Sequence, residues 1–311
     1  MPILTTASFY AFATGAFFGS IFTNLAKSLL DFLWTTDCFI QETVKQNLSA
    51  SDPINLDQEN IIRIIPNDIL IDTIISRIKG NSWGIFVFAA PEGTGKSTFI
   101  KMVIQRLKLN DPSIYLKLIK GGSSVLQQKN LCTHLKIPSA RSLSDFLPSQ
   151  TVIFIDQIDF TIESHLNEEL RLYLTELATD SSNSRQFKII LCVSNAYVAA
   201  EILKCNGFEK IQPLCPFRNL AWNDAQLDAF IEKKLPNLPT NDKIKLKRLA
   251  TSCKNSPGLI HKATDSTDGT LNMISLKRYA KKSANSWEQF ESRSIDRLTG
   301  DTNLEEDGDD D

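Results

Sequence analysis

The stretch SWGIFVFAAPEGTGKS, residues 82–97, decides the fold of this chain. Its first nine residues form a short apolar run rich in aromatic and β-branched side chains, which is typical of a buried strand. Apolar residues at helical spacing follow from Thr98 to Lys108. A glycine-bearing turn between a buried strand and a helix lets successive backbone N–H groups point at one anion. The stretch therefore predicts a phosphate-binding loop.

The loop itself spans residues 90–97 and fits the phosphate-loop spacing, with alanine in place of the usual first glycine. Gly93 and Gly95 allow the backbone to turn tightly, and the helix that follows adds its positive dipole end. Lys96 can reach the β- and γ-phosphates, and the Ser97 hydroxyl can ligate Mg²⁺. We therefore predict ATP and Mg²⁺ as ligands. The predicted nucleotide-binding residues of this segment are Ala90, Pro91, Glu92, Gly93, Thr94, Gly95, Lys96, Ser97 and Thr98.

A second apolar run, VIFIDQID at residues 152–159, ends in carboxylates. It places Asp156 at the carboxyl edge of a predicted sheet, where ligands of such sheets bind. An aspartate there can hold Mg²⁺ directly or through water. A strand-ending aspartate can also cap the next helix, but its pairing with the loop favours the metal site.

Strand and helix signals alternate through the middle of the chain, which predicts a parallel sheet covered on both faces. Beyond Asn223 only helical signals remain. The predicted strands are Ser82–Ala90, Ser113–Ile119, Thr151–Ile155, Phe187–Val193 and Phe208–Leu214. The predicted helices are Thr98–Lys108, Leu166–Ala178, Tyr197–Lys204, Asp224–Leu235, Asp242–Cys253 and Pro257–Thr264.

The composition of the 311 residues, with 42% hydrophobic and 23% charged residues and a net charge of −2, is ordinary for a globular protein. It excludes a wholly disordered chain, a rod and a uniformly basic nucleic-acid binder. None of the six cysteines forms a CxxC pair. The pattern indicates neither a zinc site nor a disulfide scaffold, and favours reduced thiols in a cytosol-like, intracellular compartment.

Residues 1–26 carry no charged side chain. A helix of this length is long enough to span a bilayer. Gly15 and Gly19 form a GxxxG pair that permits close helix packing in lipid. We favour a membrane anchor through residues 3–26, with the ATP-binding domain on the ATP-containing side. A helix packed on protein and a targeting peptide remain the alternatives.

The C-terminal part of the chain has two regions of opposite charge. Residues 231–282 contain twelve basic and four acidic residues, a balance of +8, whereas residues 288–311 contain two basic and ten acidic residues, a balance of −8. The basic region could contact nucleic acid phosphates, but solvated helix faces are the favoured interpretation. The acidic tail is predicted to be disordered. The predicted domains are 1–45 (hydrophobic helix), 60–218 (nucleotide-binding core), 219–287 (basic helical lid) and 288–311 (acidic tail).

Together the loop, the strand IFIDQID (153–159), the strand IILCVSN (189–195) and the helical C-terminal region resemble the AAA+ ATPases, with Orc-like and STAND-like relatives nearest in pattern. The resemblance covers residues 61–264. It implies an α/β fold with a parallel P-loop NTPase sheet of order 5-1-4-3-2, followed by a C-terminal helical lid. By motif, Asn195 matches the first sensor, which positions the attacking water. Because relatives form nucleotide sites between subunits, the resemblance also implies possible self-association.

Three departures from the family pattern concern hydrolysis rather than binding. Gln157 stands where a glutamate usually polarises the water, and an amide cannot accept the proton. Asp159 could substitute for it or could instead cap the following helix. The segment PGLIHKA at 257–263 resembles the second-sensor helix, but His261 stands at the place of its arginine. No arginine occupies the expected finger position before the fifth predicted strand.

We therefore predict a Mg-ATP-binding ATPase with slow hydrolysis, acting as a nucleotide-dependent switch or scaffold at a membrane. Catalytic roles fall to Asp159, Asn195 and Gln157. His261 joins the nucleotide-binding set, although a solvent-facing helix residue is the favoured interpretation of a lone histidine there. A nucleic-acid-handling ATPase of the replication-initiator or transposition type is one alternative. A degenerate ATPase fold used as an interaction module is the other.

Overall fold

The architecture comes from a computed structural model of the chain. It describes residues 27, 40–48, 68–120, 126, 128–138, 142–158, 168–205, 210–215, 217–264 and 271–293. The predicted membrane segment at 3–26, Asp159 and residues 294–311 lie outside the described residues. Within those described ranges no helix is both long and apolar enough to cross a membrane.

Five parallel strands form one sheet in the order β2-β3-β4-β1-β5, which confirms the predicted order read from the other edge. All residues of β1, β3 and β4 are buried, as expected for a sheet with helices on both faces. The strands are β1 Gly84–Ala89, β2 Tyr115–Lys120, β3 Thr151–Asp156, β4 Phe187–Val193 and β5 Ile211–Pro213.

Helices pack around this sheet and then form a separate C-terminal layer. Those of the sheet domain are α1 (residues 40–48), α2 Asp68–Lys79, α3 Lys96–Asn110, α4 Gln128–Leu135, α5 Glu168–Ser184 and α6 Ala196–Lys204. The lid helices are α7 Asp224–Lys234, α8 Thr240–Thr251, α9 Pro257–Thr264 and α10 Met273–Ser292. Helices α2, α4 and α10 were not predicted from the sequence.

Helix α1 belongs to the sheet domain. Val44 and Leu48 are buried in the core around the sheet. The Gln41 side chain donates a hydrogen bond to the backbone carbonyl of Asp145 at 2.9 Å. The domain therefore includes residues that precede its predicted start at residue 60.

Helix α10 connects the two hydrophobic cores of the molecule. Near its start Leu276 and Ala280 pack in the core of the lid. Near its end Trp287 and Phe290 pack in the core of the sheet domain, where their rings lie 5.7 and 5.2 Å from that of Phe217. A helix of this length spans about 30 Å. It therefore joins the lid to the sheet as one continuous element.

The end of α10 corrects the predicted tail boundary. Residues 288–292, assigned from their charge to a disordered tail, are helical. The physical reason is burial, because Phe290 is fully buried and Trp287 is 3% exposed. Two aromatic side chains in the core outweigh the few acidic residues on the exposed face of the same turn.

Candidate nucleotide-binding site

The loop after β1 has the backbone geometry that its glycines predict. Gly93 has φ 84° and Gly95 has φ 88°, both in the left-handed region that favours glycine. Gly95 is the residue before α3, which begins at Lys96. The loop therefore lies at the positive end of a helix dipole, the arrangement that suits an anion.

The loop is closed by its own lysine. Lys96 is 7% exposed, and its Nζ donates hydrogen bonds to the carbonyls of Ala90 and Pro91 at 2.6 and 2.9 Å. The Thr94 hydroxyl donates to the Pro91 carbonyl at 2.9 Å. These bonds hold the ammonium group at the base of the loop, beside the cavity that Lys96 lines.

A cavity of about 1270 Å³ lies at the carboxyl edge of the sheet. The predicted site residues that line it are Glu92, Gly93, Gly95, Lys96, Ser97, Thr98, Asp156, Gln157, Asn195 and His261. Ala90, Pro91 and Thr94 are buried and form the base of the loop. The structure thus brings the loop, the acidic strand, the first-sensor position and the lid histidine to one cavity.

Asp156 and Ser97 supply the oxygen atoms that Mg²⁺ prefers. Asp156 ends β3 and is 4% exposed, and its Oδ1 accepts the backbone N–H of Gln157 at 3.0 Å. Ser97 lies in the first turn of α3 and lines the same cavity. One carboxylate and one hydroxyl fit a magnesium ion that completes its shell with water and phosphate oxygens. Gln157, at φ 66°, is exposed at the edge of the site.

Asn195 has a structural role as well as a place at the cavity. Its Oδ1 accepts the backbone N–H groups of Tyr197 and Val198 at 2.8 and 3.3 Å, which caps α6. An asparagine at this position of a helix is stabilising by itself. With the oxygen used in the cap, the Nδ2 group is the part of the amide that can serve a ligand.

The lid lies directly against the loop. The carbonyl of Gly93 accepts hydrogen bonds from the Gly258 N–H at 2.9 Å and the Ser256 hydroxyl at 3.0 Å. A Cβ atom on Gly93 would lie 2.4 Å from the Tyr279 Oη, so a side chain here is excluded by space as well as by φ. The two hydrogen bonds hold the Gly93 carbonyl next to the start of α9.

Several cavity residues were not predicted from the sequence. They come from the strand–helix connection, α7, the start of α9 and α10: Ser194, Trp222, Phe230, Lys234, Pro257, Gly258, Lys282, Asn285, Ser286 and Gln289. The four α10 residues follow an i, i+3, i+4, i+7 spacing, the signal for one face of a helix. That pattern is visible in the sequence once α10 is recognised.

The basic region of the lid carries its own counter-charges. Among the described residues, its lysines form at least these ion pairs: Lys243–Glu232, Lys245–Asp242, Lys247–Asp228, Lys254–Glu291 and Lys282–Glu92. Exposed pairs of this kind contribute little to stability. They nevertheless reduce the positive potential that a nucleic acid would meet. This agrees with the interpretation of the basic residues as solvated faces of the lid helices.

A family model describes the same region of the chain. The model of the ATPase family associated with various cellular activities (AAA) matches residues 86–211. These residues match an AAA ATPase domain. The match runs from β1 through the loop and Asp156 to the start of β5 and implies ATP binding at the loop. The Orc-like or STAND-like branch stays a prediction.

Solved structures with a similar fold share little sequence with the chain. A Walker-type ATPase of Pyrococcus abyssi has 13% identity and a TM-score of 0.44, over 74% of this chain and 76% of that chain. Domain III of the replication initiation protein DnaA of Thermotoga maritima has 13% identity and a TM-score of 0.39, over 71% and 90%. PCH-2 of C. elegans has 12% identity and a TM-score of 0.33, over 72% and 67%. No curated protein sequence matches the chain.

Proposed function

We propose that this protein binds Mg-ATP in the cavity at the carboxyl edge of the sheet, hydrolyses it slowly and acts as a nucleotide-dependent switch or scaffold. The observation that carries the proposal is that Lys96, Ser97 and Asp156 line one cavity with the start of the lid. Lys96 supplies the charge for the β- and γ-phosphates. Ser97 and Asp156 would hold Mg²⁺, which neutralises phosphate charge when it is bound.

The ATP-binding part of the proposal is tested with Lys96→Met, which keeps the length of the side chain and removes its charge. We expect ATP affinity to fall about 100-fold or more, because two charge-assisted hydrogen bonds to phosphate are lost. Isothermal titration with Mg-ATP measures it. Lys101→Met on the same helix is the matched control, since Lys101 does not line the cavity. Equal affinity of the wild type and Lys96→Met would overturn the proposal.

Slow hydrolysis follows from the position of Gln157 at the edge of the cavity. Its amide cannot take the proton of the attacking water. We expect turnover below about 1 per second for the wild type, and an increase of about tenfold or more in Gln157→Glu. Phosphate release under saturating Mg-ATP measures both rates. Gln157→Ala, which adds no carboxylate, should not accelerate the reaction, and equal acceleration in both variants would contradict the argument.

The switch role draws on the contacts between the loop and the lid. The Gly93 carbonyl is bound by donors from Gly258 and Ser256, so a ligand that moves the loop also moves the start of α9. Attachment to a membrane through residues 3–26 is part of the proposal on the strength of the uncharged sequence alone. Complete release of the full chain from membranes by alkaline carbonate would contradict it.

A further inference from the structure

Helix α10 presents a polar stripe to the nucleotide cavity. The stripe consists of side chains that can all donate hydrogen bonds: Lys282, Asn285, Ser286 and Gln289. Their i, i+3, i+4, i+7 spacing places them on one face of the helix. Within the stripe only Lys282 is positively charged, which makes it the member best suited to a phosphate.

Two buried residues of α10 hold the backbone of Lys282 in place. Ala280 packs in the core of the lid, and Trp287 packs in the core of the sheet domain. Lys282 lies between them on one continuous helix. Its backbone cannot move away from the loop unless one of the two cores is disturbed, so the cation is held near the loop whether or not a ligand is present.

Lys282 already contacts the phosphate loop. Its Nζ lies 2.7 Å from Glu92 Oε2, and the Ser286 hydroxyl accepts the backbone N–H of Glu92 at 3.4 Å. Glu92 immediately precedes Gly93, whose φ of 84° forms the turn of the loop. Two contacts from α10 therefore meet the loop one residue before the turn.

The ion pair between Lys282 and Glu92 is weak enough to exchange. The two side chains are 69% and 48% exposed, and ion pairs between exposed side chains contribute little to stability. A triphosphate carries several negative charges, and phosphate oxygens form strong charge-assisted hydrogen bonds with ammonium groups. A nucleotide that enters the cavity can therefore replace Glu92 as the partner of Lys282.

We propose that Lys282 is a second phosphate-binding cation of the site, supplied by the last helix of the same chain and transferred from Glu92 to the nucleotide when ATP binds. The inference rests on the proposed function, since it concerns the same cavity. It also gives α10 a direct role in coupling the nucleotide to the lid and to the sheet domain.

The test compares Lys282→Met with Lys281→Met by isothermal titration with Mg-ATP and Mg-ADP. Lys281 is an exposed lysine on the same helix and does not line the cavity, so it is a matched control. We expect Lys282→Met to weaken ATP binding about tenfold, Lys281→Met to change it less than about twofold, and Lys282→Arg to retain most of the affinity. Thermal unfolding of each variant verifies that the fold is intact.

A second comparison distinguishes two explanations. Either Lys282 binds phosphate directly, or it only neutralises the charge of Glu92. If Lys282 binds phosphate, the double variant Glu92→Gln/Lys282→Met binds ATP more weakly than Glu92→Gln. If Lys282 only neutralises Glu92, the double variant binds ATP as tightly as Glu92→Gln, and the inference is overturned. Unchanged affinity in Lys282→Met overturns it as well. A wild type that binds no ATP would overturn the proposed function itself, a different result.

Discussion

Two lysines are buried in the described part of the chain, and they lie at opposite edges of the sheet. Lys96 is 7% exposed and starts the helix that follows the carboxyl end of β1. Lys188 is 3% exposed and lies near the amino end of β4, where it pairs with Gly84. Each ammonium group donates to two backbone carbonyls. Burial and hydrogen bonding alone therefore do not identify a functional lysine.

The surroundings of the two ammonium groups account for their different roles. Lys188 bonds the carbonyls of Ile78 and Gly80 at the end of α2, and the Trp83 ring centroid lies 4.6 Å away. It completes a helix end and packs against an aromatic face. Lys96 instead lies beside an open cavity and at the start of a helix. A buried cation indicates a binding site when anion-binding backbone and open space lie next to it.

The largest expected difference between the two lysines is in ATP affinity. Lys96→Met should lose about 100-fold or more, whereas Lys188→Met should stay within about twofold of the wild type, because its ammonium group lies at the other edge of the sheet. Titration of both variants with Mg-ATP makes the comparison. A comparable loss in Lys188→Met would show that burial, rather than position, determines the effect.

A smaller difference is expected in the free energy of unfolding, and here Lys188→Met should have the larger effect. Lys188→Met leaves the carbonyls of Ile78 and Gly80 without their donor and should reduce the free energy of unfolding by about 1–3 kcal/mol. Lys96→Met should cost less, because Lys96 lines the cavity and water there can take the place of its ammonium group. Urea unfolding monitored by circular dichroism measures both. An equal cost at the two sites would contradict the role given to the cavity.

The sheet and the loop were predictable because their signals are local. The apolar runs of β3 and β4 lie within a few residues of their predicted bounds. Gly93 and Gly95 indicate a left-handed turn by residue type alone, and Asp156 ends an apolar strand. In each case the residues that determine the structure are neighbours in sequence, so a short window contains the necessary information.

The contribution of α10 was not predictable in the same way. Lys282 is distant in sequence from the loop, and its helix reaches the cavity through long-range packing at both ends. Leu276 and Ala280 pack in the lid core, and Trp287 and Phe290 pack on Phe217. The acidic residues after position 287 also favoured a tail over a helix. The role of Lys188 was missed for the same reason, since a lysine in an apolar strand shows its partners only when α2 is in place.

The smallest expected effect is the contribution of Lys188 to the pH dependence of the free energy of unfolding. Burial lowers the pKa of Lys188 to about 8 from its ordinary value of 10.5. Above pH 8 the folded protein has released this proton, whereas the unfolded chain keeps it until about pH 10.5, so unfolding takes up a proton. The free energy of unfolding should therefore gain about 1–2 kcal/mol from this group between pH 8 and pH 10.

Other groups titrate over the same range with the opposite sign, because burial raises the pKa of Tyr279 to about 12 and also that of the Cys253 thiol. Those groups lower the free energy of unfolding as the pH rises, because they ionise in the unfolded chain while they stay protonated in the folded protein. The quantity to measure is therefore the difference in unfolding free energy between the wild type and Lys188→Met, determined by urea at pH 8, 9 and 10. That difference should grow with pH, because only the wild type has the contribution of Lys188. A constant difference would mean that this lysine keeps its ordinary pKa in the folded protein.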